Sequence, residues 1–216
     1  LIFLILEAVL LERAANALGA YLAAQLGLDE EKQEVVAFGA LALLQNGASV
    51  VLLLLLALST GLLPEAAAAL LTAGVLRHAT GGTHLQTPLR CVLTTALGFW
   101  AGGFVGYLLV QALADQAAAV TLAICTVAWG LWVIHRWAPV EAETRPLSSK
   151  HKAYLRRLSL RLGWLVSIVL VGGAFFRTWW WAPGLIGFSI QCISLTPPGH
   201  RLTRIIDCLC SRLQGR

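Results

Sequence analysis

The chain has 216 residues, 58% of them hydrophobic and only 12% charged, and its mean hydropathy is +0.75. An ordinary soluble domain carries roughly 25% charged residues, so this balance excludes a soluble globular fold and points to an integral membrane protein. The net charge of +5 then belongs to membrane-facing segments, and nucleic acid is excluded as a partner because no basic patch is interleaved with aromatics on a soluble domain.

Residues 1–28 are apolar but carry Glu7, Glu12 and Arg13, with neither a basic start nor a clean cleavage box. They are read as an amphipathic or interfacial helix that stays in the mature protein. A membrane-crossing helix needs about 20 apolar residues, and the charge-free run from Val35 to Leu63 meets that length. The stretch from Glu65 to Arg77 is apolar but short, either a tilted helix or a half-helix among its neighbours. Cys91 to Ala114, Gln116 to His135, Leu162 to Phe176 and Thr178 to Pro198 complete the series. The expected fold is all-α: a polytopic helical membrane bundle of about six membrane segments, the Glu65 to Arg77 segment short, forming one domain over 1–216.

Charge placement orients this bundle. Residues 138–161 hold Arg145, Lys150, Lys152, Arg156, Arg157 and Arg161 against Glu141 and Glu143, and the tail 199–216 holds Arg201, Arg204, Arg212 and Arg216 against Asp207. Excess Lys and Arg mark the cytoplasmic side, so both segments are expected there, the first as a basic loop. Alternation of the spans puts residues 78–90 and both termini on the same side. Five scattered cysteines, Cys91, Cys125, Cys192, Cys208 and Cys210, do not make a disulfide framework.

The stretch "HATGGTHLQTPLRC", residues 78–91, gathers chemistry that the rest of the chain lacks. A thiolate is a nucleophile, and an imidazole within reach can take the thiol proton and later protonate a leaving amine. His84 and Cys91 are candidates for that pair. On one straight helix seven residues would separate their backbones by about 10 Å, but Gly81 and Gly82 permit a turn, while Thr87 followed by Pro88 has the form of an N-cap and first helical residue. A helix starting at Pro88 carries Cys91 in its first turn, where the positive end of the dipole favours an anion and free amides can cradle an oxyanion. Arg77 and Arg90 either add cationic potential or snorkel as positive-inside anchors. His78 is a second base or an interfacial histidine. A metal held by His78, His84 and Cys91 is conceivable by residue type, but the spacing matches no compact zinc signature, so no metal is expected.

These residues resemble a known family. "GGTHLQTPLRC" is similar to the characteristic element of the accessory gene regulator B (AgrB-like) family of membrane cysteine endopeptidases in bacterial peptide quorum sensing. "HRWAPVEAETRPLS", residues 135–148, resembles the family's A-P-V stretch before a basic loop, and "FGALALLQN", residues 38–46, sits where the family has a glycine-containing span. The resemblance implies that Cys91 is the nucleophile and His84 its base, with Arg77 and Gly82 in support, and that no cofactor is needed. It implies an amphipathic, AgrD-like peptide precursor as substrate, cut through an acyl-thioester from which a ring can close, and a homodimer in the bacterial cytoplasmic membrane. Arg145, Lys150 and Lys152 are candidates to attract an acidic part of that precursor. Two other readings remain open: a small non-enzymatic transporter or scaffold in which His84 and Cys91 only pack, and a membrane thiol acyltransferase acting on lipid.

Overall fold

The structure, a computed structural model, describes residues 2–83, 85–140 and 148–213, with backbone alone for 2–11, 210, 212 and 213. The described residues form helices α1 (Ile2–Leu26), α2 (Glu30–Thr60), α3 (Leu63–Thr80), α4 (Pro88–Ala112), α5 (Gln116–Trp137), α6 (Ser149–Phe175), α7 (Trp181–Leu195) and α8 (Pro197–Leu213). Among them α2, α4, α5 and α6 are long and apolar enough to cross a membrane, and α7 is apolar but only 15 residues long. The protein is therefore a multi-pass helical membrane protein, as its composition led us to expect. Helices α3, of 18 residues, and α7 are shorter and accompany these four.

The chain packs as two compact units, Leu1–Leu56 with Leu85–Leu97, and Ala57–His84 with Gly98–Arg216. In the first unit, α1 closes on Gly27, whose φ of 61° suits glycine, and α2 starts on Asp29, whose carboxylate accepts from the Lys32 amide at 2.9 Å. The Lys32 side chain, also 2.9 Å from that carboxylate, holds the Asp29 carboxyl below the usual carboxylate range. Small residues bring the two helices together: a Cβ on Gly19 would lie 2.7 Å from that of Ala37. The apolar residues of α1 are spread round its axis rather than gathered on one stripe, so the N-terminal helix forms without the one-sided pattern expected of it. That pattern belongs to α8.

The second unit is built around α7. Trp181, Leu185, Phe188, Gln191, Cys192 and Leu195 are all buried, packed among α3, α5 and α6. At 1.5 Å per residue α7 is about 22 Å long, shorter than the roughly 30 Å hydrocarbon layer, a length tolerated where protein rather than lipid covers the helix ends. Small side chains again set the spacing, as interfaces within a bilayer require: Gly187 lies directly on the Ala69 carbonyl, and Gly106 on Pro183. Leu165, Ile168 and Val169 of α6 and Trp132 of α5 point outward, an apolar exterior suited to acyl chains. The segment expected as a basic loop over 138–161 is shorter than that. Ser148 caps α6 by accepting from the His151 amide at 3.3 Å, so Lys150 onward lie on the first turns of a helix.

Candidate active site

Helix α3 ends in a buried, polar knot. Thr80 is fully buried; its hydroxyl donates to the Leu76 carbonyl at 2.9 Å and accepts from the Gln191 side-chain amide at 2.8 Å. The same Gln191 nitrogen donates to the Gly81 carbonyl at 2.7 Å, and Gln191 is itself 2% exposed. From the segment after α5, the Val140 amide donates to the Thr80 carbonyl at 2.9 Å, next to a cis Ala138–Pro139 bond. From α6, the Ser159 hydroxyl lies 2.9 Å from the Ala79 carbonyl. Three separate segments thus fasten the last turn of α3 and its first glycine, and every buried acceptor named here has a donor.

The glycines are required by geometry. Gly81 has φ 69° and a Cβ there would lie 2.5 Å from the Val140 carbonyl oxygen; Gly82 has φ 153° and a Cβ there would lie 2.8 Å from the Arg77 guanidinium and 2.9 Å from the Ser194 hydroxyl. Any other residue would be strained in conformation and blocked in space at Gly81. Arg77 turns back from α3 to donate to the Thr83 carbonyl at 2.7 Å. It is a tie across the loop, not a side chain snorkelling to water. His84, the expected base, lies outside the described residues, and the chain brings Arg77, Gly81 and Gly82 to its immediate neighbour. His78 is exposed on α3.

In the first unit, α4 begins as the sequence leads one to expect. The Thr87 hydroxyl accepts from the Arg90 amide at 3.4 Å, the Thr87 carbonyl accepts from the Cys91 amide at 3.2 Å, and Pro88 is the first helical residue. Cys91 is a free, partly buried thiol one turn into the helix. The supply of amides is smaller than anticipated: Pro88 has none, and Thr87 engages those of Arg90 and Cys91, which leaves Leu89 as the amide of the first turn that neither Thr87 atom holds. Arg90 is 8% exposed, so it is not a surface anchor. Lys150 and Lys152 are exposed on the first turn of α6, and Arg145 lies outside the described residues.

Sequence reasoning missed Gln191, Ser159, Thr80 and the tie to Val140. A signal for Gln191 was present, because a carboxamide in the otherwise apolar run from Leu185 to Leu195 needs a partner inside the bundle.

Fold and site define a multi-pass helical membrane protein with a glycine loop clamped at the end of one helix and a thiol at the start of the next. The accessory gene regulator B family model matches residues 15–195, and the chain belongs to that family. It is 26% identical over 220 residues to "Putative AgrB-like protein 2" of Clostridium perfringens (strain 13 / Type A), spanning 94% of this chain and 100% of that relative. With "Putative AgrB-like protein" of Clostridium perfringens (strain SM101 / Type A) it shares 24% over the same spans. No solved structure gives a significant match.

Proposed function

We propose that the chain is a membrane-embedded cysteine endopeptidase that cuts the C-terminal part from an amphipathic signalling-peptide precursor, with Cys91 as nucleophile and His84 as base. His84 takes the thiol proton, the sulfur attacks the scissile carbonyl, and the tetrahedral adduct collapses with His84 protonating the departing amine. The retained part is then a thioester on Cys91. A nucleophilic side chain of that peptide attacks the same carbonyl, closing a ring and returning the thiol, with no oxidant, reductant or cofactor needed. In this reading the site and both termini face the cytoplasm, and the enzyme works as a homodimer.

The observation that carries the reading is that the residues before His84 and those around Cys91 are each fastened within their own unit. The residues just before His84 are fastened by Gln191, Val140 and Arg77, and Cys91 sits one turn beyond a threonine-capped helix start. Co-expression of precursor with Cys91→Ala or His84→Ala tests this. Processing should fall by at least about 10³-fold with membrane insertion intact; a non-enzymatic transporter or scaffold would carry its cargo equally well without the thiol.

A further inference from the structure

We propose that helix α8 and the recess beside it bind the phosphate of an anionic phospholipid, with the acyl chains lying along the helix's apolar stripe. The proposal is independent of the peptidase reading, and α8 lies beyond the residues 15–195 that the family model matches.

Connection comes first. A single residue, Thr196, joins α7 to α8. Its hydroxyl accepts from the Gly199 amide at 3.2 Å and its carbonyl from the His200 amide at 3.1 Å, so the turn is capped at its inner corner. Gly199 lies against the Ile193 carbonyl, where no side chain fits. Helix α8 is therefore held at the end of α7, at the point where the chain leaves the apolar zone, and has no linker with which to move off into water.

Two faces of α8 then ask for two chemistries. Leu202, Ile205 and Leu209, at helical spacing, are each more than half exposed, an apolar stripe that the rest of the unit does not cover. A one-sided helix with basic residues beside its apolar stripe lies in the bilayer interface. Beside the stripe is a recess of about 470 Å³ lined by Trp137, Val140, Pro197, His200, Arg201 and Arg204, with no carboxylate among its described lining residues. Two guanidiniums are suited to a phosphodiester, to which arginine donates two hydrogen bonds at once. A free phosphate would satisfy the recess but leave the stripe bare, whereas a phospholipid occupies both; the adjacency of the two decides for lipid.

The test uses the full-length protein purified in mild detergent with phosphatidylglycerol and phosphatidylcholine in equal amounts, counting retained lipid by native mass spectrometry. The expected result is retention of phosphatidylglycerol over phosphatidylcholine, falling about fivefold for each of Arg201→Gln and Arg204→Gln. Leu202→Gln should lower it with both arginines intact, and Arg156→Gln on α6 should leave it unchanged. If Arg201→Gln does not stay monodisperse, Arg204→Gln alone decides between the same outcomes. Equal retention of the two lipids, or an equal loss with Arg156→Gln, overturns the proposal. Displacement of the lipid by inorganic phosphate at matched ionic strength would make it a free-anion site, and stronger displacement by a glutamate-rich peptide would make it a peptide site; either result overturns the lipid assignment.

Discussion

Replacing Gln191 by leucine removes the two hydrogen bonds that the side-chain nitrogen makes, 2.8 Å to the Thr80 hydroxyl and 2.7 Å to the Gly81 carbonyl, while nearly preserving volume. Leucine adds little cavity or overpacking cost, and the Gly81 carbonyl keeps the Thr80 hydroxyl at 3.3 Å, so the penalty is that of losing two hydrogen bonds, about 1–3 kcal/mol. At about 2 kcal/mol the clamped form of the loop loses population by roughly 30-fold relative to the open one. Hydrogen exchange reads this directly, because the Gly81 amide is bonded to the Arg77 carbonyl and the Val140 amide to the Thr80 carbonyl. Exchange at both should accelerate by up to about 30-fold, while amides in the middle of α5 keep wild-type rates. Precursor processing should slow with the same variant. Wild-type exchange at Gly81 and Val140 in Gln191→Leu would refute the clamp.

Other consequences follow from the same geometry. Gly81→Ala must accept a left-handed backbone costing about 1–2 kcal/mol and a Cβ 2.5 Å from the Val140 oxygen, so thermal stability in detergent should fall; Gly98→Ala, whose Cβ would meet nothing within 4 Å, is the control and should be neutral or slightly stabilising. Thr87→Ala deletes the cap on α4 and should cost about 1 kcal/mol, restored by Thr87→Ser, as measured by thermal unfolding. Exchanging Arg145, Lys150 and Lys152 for glutamine should slow processing at low salt and matter little at high salt, where exposed charges are screened; equal rates at low salt would remove them from substrate attraction.

What the sequence disclosed was local. Gly81, Gly82 and the Thr87–Pro88 pair fix the end of α3 and the start of α4 through turn and cap chemistry that depends on a few neighbouring residues, and charge-free runs locate α2, α4, α5 and α6 because the bilayer imposes a length. Hydropathy does not distinguish an apolar helix wrapped in protein from one facing lipid, so the central place of α7 was hidden in its composition. Gln191 meets Gly81 across 110 residues of chain and Ser159 meets Ala79 across 80; no periodicity reports such pairings. The start of α6 was obscured by its charges, although Ser148 is an ordinary cap. The charges of residues 199–216 mark a tail without disclosing helix α8, yet Thr196–Pro197 repeats the cap and proline of Thr87–Pro88.

The central chemical claim is a covalent bond between Cys91 and the precursor. Intact-mass analysis of purified protein incubated with precursor and quenched in acid should show an adduct equal in mass to the retained fragment, located at Cys91, released by hydroxylamine as a thioester is, slower to accumulate in His84→Ala and absent in Cys91→Ala. Cleavage of the precursor by Cys91→Ala at the wild-type rate, or an adduct on any other residue, would contradict the account.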